Sequence, residues 1–119
     1  MDAKSPPPDA VAERPAAPGV AVVVLGGELD FSAADRLRAQ LDGASDGRAL
    51  VLDLAEVTFV DSAVLKELLR ARVELAAAGG RLVLAGVPRP VRRLLDLTRT
   101  FELFETAPDA GEAVRRLSA

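Results

Sequence analysis

The amino-acid sequence predicts a small single-domain α/β fold, with a central mixed β-sheet and about four helices. Three observations carry that expectation. The chain has 119 residues, the size of one domain. Half of it is apolar and 28% is charged, a globular rather than a disordered composition. Valine- and leucine-rich runs, too continuous for half-exposed strands, alternate with helical periodicities, the pattern of parallel strands joined by crossover helices.

The elements follow in order. Residues 1–9 contain Pro6, Pro7 and Pro8 and read as a flexible, proline-rich tail ahead of a domain spanning 10–118. Ala10 to Arg14 suits an edge strand, and Pro18-Gly19 a turn. Val20 to Leu25 is a buried-strand pattern that Gly26-Gly27 is expected to end. Phe31 to Leu41 reads as a helix, with Ala34, Leu37 and Leu41 on one face. Ser32 is its expected N-cap, Asp35 the acidic capping-box partner, and Gly43 the stop. Ala49 to Leu54 is a second buried strand, which makes a strand–helix–strand unit with parallel strands.

Ser62 to Ala78 is the longest helical pattern. Val64, Leu65, Leu68, Leu69, Leu75 and Ala76 fall on one arc; Lys66, Glu67, Arg70 and Glu74 fall on the other. Arg72 lies within the apolar arc and is expected to snorkel outward. Gly79-Gly80 closes the helix. Arg81 to Ala85 is a strand and Gly86-Val87-Pro88 a turn. A short helix runs from Pro90 to about Leu97, a last short strand spans Leu103 to Glu105, and a terminal helix spans Pro108 to Leu117.

The absences are informative. The chain has no His, Cys, Trp or Tyr. No histidine base, Ser-His-Asp or Cys-His nucleophile, zinc finger, haem or iron–sulfur site is available, and disulfides are impossible. The net charge is −3, from 15 basic and 18 acidic residues, so no global field draws the chain to nucleic acid or an anionic membrane. No apolar run is long enough to span a bilayer, and the first residues lack the apolar core of a signal peptide, so a cytoplasmic protein is expected.

Few residues carry candidate chemistry. Neither GxGxxG nor a P-loop motif occurs. Glu28, Asp30, Asp53 and Asp61 flank strand ends; such carboxylates either ligate a hard cation or, more often, cap helices and hold turns, and no metal is assigned to them. Arg89, Arg92, Arg93 and Arg99 cluster around the third helix, suited either to solvation or to a phosphate or acidic partner. Asp61-Ser62 stands where an apolar strand end meets the start of the longest helix. A serine there is an N-cap or first-turn residue. It is also where unpaired N–H groups and the helix dipole best tolerate a phosphate.

These residues carry a family resemblance. Gly27-Glu28-Leu29-Asp30, Leu52-Asp53-Leu54 with Val57-Thr58-Phe59-Val60-Asp61-Ser62, Gly79-Gly80-Arg81-Leu82-Val83-Leu84, and Leu94-Leu95-Asp96-Leu97-Thr98 through Leu103-Phe104-Glu105 together resemble the STAS domain. The similarity is greatest to bacterial anti-sigma-factor antagonists and extends from about Ala10 to Leu117. It implies a protein that binds an anti-sigma factor, itself a serine kinase, and so regulates sigma-factor-dependent transcription. The kinase phosphorylates a serine in an Asp-Ser-Ser/Thr-Gly segment, which ends binding, and a serine phosphatase restores it. Ser62 matches the acceptor and Asp61 the preceding acid. Ala63 and Val64 depart from that segment, and Lys66 and Glu67 stand where small or apolar residues are common.

The resemblance thus implies a phosphoprotein that is a kinase substrate and not an enzyme, with no cofactor and no direct nucleic-acid or membrane contact, as a monomer or weak dimer. Its partner surface is expected around Glu28, Asp30, Asp61, Ser62, Ala63, Val64 and Lys66. The alternative is a STAS interaction module that is never phosphorylated, part of a larger regulatory or transport assembly. An enzyme or small-molecule-binding domain is the third reading.

Overall fold

The computed structural model describes residues 11–44 and 48–118; the expected proline-rich tail lies outside them. Five strands, β1 (Val11–Ala17), β2 (Val20–Leu29), β3 (Ala49–Val60), β4 (Arg81–Ala85) and β5 (Glu105–Ala107), form one sheet in sequence order. β1 is antiparallel to β2; every later pair is parallel. The helices are α1 (Phe31–Ala44), α2 (Ser62–Ala77), α3 (Arg89–Leu97) and α4 (Ala110–Ser118), with a 3₁₀ turn over Phe101–Leu103. The mixed sheet with four helices is the architecture the sequence predicts.

Strand alternation divides the core between two faces. Ala21, Val23 and Leu25 of β2, Leu50 and Leu52 of β3 and Leu82 and Leu84 of β4 point to one face, where α1, α2 and α3 cover them. Val20, Val22, Val51, Val83 and Ala85 point to the other, covered by Ala113 of α4 with Ala110, Val114 and Leu117 beside it. Both faces of the central strands are therefore buried, which is why β2 and β3 read as continuous apolar runs.

Several boundaries depart from the sequence expectation. β2 does not end at Gly26-Gly27. Its pairing with β3 slips twice, between Val24 and Gly26 and between Gly27 and Glu28. Gly27, at φ 75°, turns the chain through a bulge and lets pairing continue to Leu29. β3 likewise continues past Leu54 to Val60. α1 passes through Gly43 to Ala44. The last strand starts at Glu105, because Phe101–Leu103 wind into the 3₁₀ turn.

Within the helices, Ser32 does not cap α1. It lies in the first turn, where its own amide and hydroxyl donate to the Asp30 carboxylate, and Asp30 holds the capping place. Asp35 is then too far along to complete a capping box and is exposed. In α2, Ala71 joins the buried face, whereas Ala76 is exposed. Arg72 snorkels as expected, its Nε donating to the Leu103 carbonyl. Arg70 bonds Glu67, Glu74 and, across to α1, Asp42; burial opposes its charge, but these carboxylates outweigh that and raise its pKa.

Candidate functional site

β2 and β3 run parallel, so their C-terminal ends arrive at the same edge of the sheet. Glu28 pairs with Phe59 and Leu29 with Val60. The Asp61 amide donates to the Leu29 carbonyl at 3.2 Å and ties the two exits together. α1 and α2 thus begin side by side, after Asp30 and Asp61. The sheet brings together residues separated by about thirty positions in sequence; local patterns could not show this.

Each aspartate serves its helix. The Asp61 carboxylate accepts from the Val64 amide at 3.1 Å as the N-cap of α2. Such a cap is worth about 1 kcal/mol. Asp30 accepts from the Ser32 hydroxyl and amide, and these hydrogen bonds hold its carboxyl below the usual carboxylate range. Asp53, lower on β3, accepts from the Ala55 amide at 3.1 Å where the pairing with β2 first slips. Among the described residues no group of three or more acidic side chains is placed to hold a metal ion.

Ser62 is the first residue of α2 and is exposed. Because Asp61 takes the cap, the Ser62 hydroxyl is not used for capping and faces solvent. Lys66 is exposed one turn further on; Ala63 is half-buried. Val64 behaves differently: it is fully buried in the core under α2. It is therefore removed from the expected surface, and its departure from the family glycine is a matter of packing. Glu28 is exposed at the end of β2.

Two residues on this edge escaped the sequence reading. Phe31, the first residue of α1, is 75% exposed, and Phe59, near the end of β3, is 47% exposed. They are half of the chain's four phenylalanines. Exposed aromatic side chains beside a polar edge mark contact surfaces. Phe31 opens α1 three residues before Ala34, outside the Ala34, Leu37 and Leu41 set that faces the core. Two open grooves, of about 380 Å³ beside Arg72, Val73 and Leu103 and about 310 Å³ beside Gly86, Arg92 and Phe101, include none of these edge residues in their walls.

The STAS domain family model matches residues 12–113. The chain belongs to the STAS domain family. It is 36% identical over 102 residues to an anti-sigma F factor antagonist of Paenibacillus polymyxa, covering 83% of this chain and 87% of that one. A solved anti-sigma factor antagonist from Mycobacterium paratuberculosis is 28% identical with a TM-score of 0.77, covering 95% of this chain and 98% of the other. The Bacillus cell fate determinant SpoIIAA, solved in its phosphorylated form, shares the fold at a TM-score of 0.73 and 24% identity, over 90% of this chain and 98% of its own. In this STAS domain no described helix is long and apolar enough to cross a membrane.

Proposed function

We propose that this protein is an anti-sigma-factor antagonist that works by partner switching. Unphosphorylated, it binds an anti-sigma factor that is also a serine kinase; phosphorylated on Ser62, it lets go, and a serine phosphatase resets it. The protein is a substrate rather than a catalyst and acts in the cytoplasm.

The observation that carries the reading is the position of Ser62. Its hydroxyl is exposed, released from capping by Asp61, and set on the edge that also presents Glu28, Asp30, Ala63, Lys66, Phe31 and Phe59. A phosphate there adds about −1.5 to −2 charges beside two carboxylates. The helix start tolerates it, since the dipole favours an anion, so the fold survives. A partner packed on the edge does not tolerate it, because the phosphate must be desolvated and faces whatever negative charge the partner brings.

Incubation with the cognate anti-sigma kinase and ATP, followed by mass spectrometry, tests this. One added phosphate on Ser62 and loss of the complex are expected. Absence of phosphate on Ser62, with the complex still formed, would leave a phosphorylation-independent interaction module. Ser62→Asp distinguishes the same pair: weakened binding supports the switch, and unchanged affinity supports the module.

A further inference from the structure

The arginine-rich face of α3 is not used by the function proposed above. The segment from Arg89 to Arg99 carries four arginines and one aspartate in a chain of net charge −3. Arg92 is engaged: its guanidinium lies 3.6 Å over the Phe101 ring, and its Nε is 3.2 Å from the Asp96 carboxylate. Arg89, Arg93 and Arg99 are exposed, and their guanidinium groups have no partner among the described residues. Val91 and Leu95 fasten α3 to the core. Arg89, Arg93 and Leu97, each four residues apart, therefore form one outward stripe. Leu97 is 74% exposed.

Two of these arginines sit where the fold alone disfavours them. Arg89 occupies the first turn of α3, at the positive end of the helix dipole, with no acidic residue in that turn. Arg99 has φ 59°, the one non-glycine at positive φ among the described residues. The end of α2 shows what the position normally takes. There Gly79, at φ 86°, donates to the Ala76 carbonyl at 3.1 Å and Gly80 donates to that of Leu75 at 2.7 Å. At the end of α3 the same closure recurs: Arg99 donates to the Asp96 carbonyl at 3.1 Å and Thr100 to that of Leu95 at 2.8 Å. A glycine relieves that backbone, and an arginine strains it. Local choices that oppose the fold mark surfaces kept for contact.

We propose that the Arg89–Arg93–Leu97 stripe, with Arg99 at its end, is a docking face for an acidic segment of a protein partner, in which carboxylates flank an apolar side chain. Guanidinium forks match carboxylates, and spacing by one helical turn presents two of them to a single segment. Leu97 supplies the apolar contact. A nucleic-acid backbone or free phosphate would leave Leu97 in water.

Fluorescence anisotropy of a labelled peptide of alternating glutamate and leucine residues, titrated with the full chain, tests the proposal, with amide chemical shifts locating the contact. Shifts concentrated on α3 are expected. R89E/R93E, exposed and remote from the core, weakens binding about tenfold or more, and L97S weakens it severalfold. Arg99→Gly weakens binding while raising Tm by a few degrees, a split that an arginine of purely structural role does not produce. Ser62→Asp leaves peptide affinity unchanged, which separates this face from the edge around Ser62. Unchanged affinity in R89E/R93E overturns the proposal. So does an RNA oligonucleotide that displaces the peptide and binds L97S as well as the unaltered chain.

Discussion

The two halves of β3 belong to one strand and obey different rules. From Ala49 to Asp53 it lies between β2 and β4, and Leu50, Val51 and Leu52 are fully buried. From Leu54 to Val60 it keeps only β2 as a sheet partner. There Leu54, Val57 and Val60 are buried, and the two residues between each pair are exposed. Two slips in pairing turn the period of two into a period of three. The first half stabilises the domain. The second half carries its side chains to the edge where α2 begins. The difference teaches that losing one neighbouring strand turns two of every three side chains of a core element out to solvent.

Mutations sharpen that contrast. Leu52→Ala, in the first half, leaves a cavity on the face beneath the helices and costs about 2–5 kcal/mol in denaturant unfolding. Ser62→Asp, just beyond the second half, weakens the complex with the anti-sigma factor tenfold or more, about 1.4 kcal/mol in titration calorimetry. It leaves Tm unchanged or slightly higher, because an acid suits the first turn of a helix. Asp61→Ala removes the cap of α2 and costs about 1 kcal/mol in thermal unfolding. Phe59→Ser changes stability by less than about 0.5 kcal/mol, the range of exposed sites, yet weakens partner binding. A loss as large as that of Leu52→Ala would erase the distinction between the halves.

The smallest expected effect is in pH. Asp30 has its carboxyl held down by the Ser32 hydroxyl and amide. A carboxyl whose pKa is lower folded than unfolded adds stability above its ordinary range, and that contribution is lost as pH falls through the folded value. An NMR titration of Asp30 should therefore find it below an ordinary aspartate, and Ser32→Ala should move it back up.

The legible parts of the sequence were those with a simple period or a strong stop. α2 was visible from its apolar arc and Gly79-Gly80, and β4 from five residues between two turns. Ser62 stands out because an apolar run meets a helix start there. The second half of β3 was not legible, since residues buried every third position resemble neither a strand nor a helix. Gly26-Gly27 read as a terminator because a bulge and a strand end use the same residue. Ser32 looked like a cap because it is a good one; Asp30, two residues earlier, took the place by bonding it. The exposure of Phe31 and Phe59 has no local pattern to mark it, since it depends on how the strands and helices pack at this edge.

Composition by itself determined that this chain performs no histidine or thiol chemistry, because it has neither side chain. Local patterns determined most of its helices and the buried halves of its strands, because periodicity and capping act between residues near in sequence. Tertiary structure decided the rest. It set Asp30 beside Asp61, turned Val64 inward while leaving Ser62 outside, and stranded two phenylalanines on the same edge. Those outcomes depend on which strands pair and where the pairing slips, and strand pairing joins residues far apart along the chain.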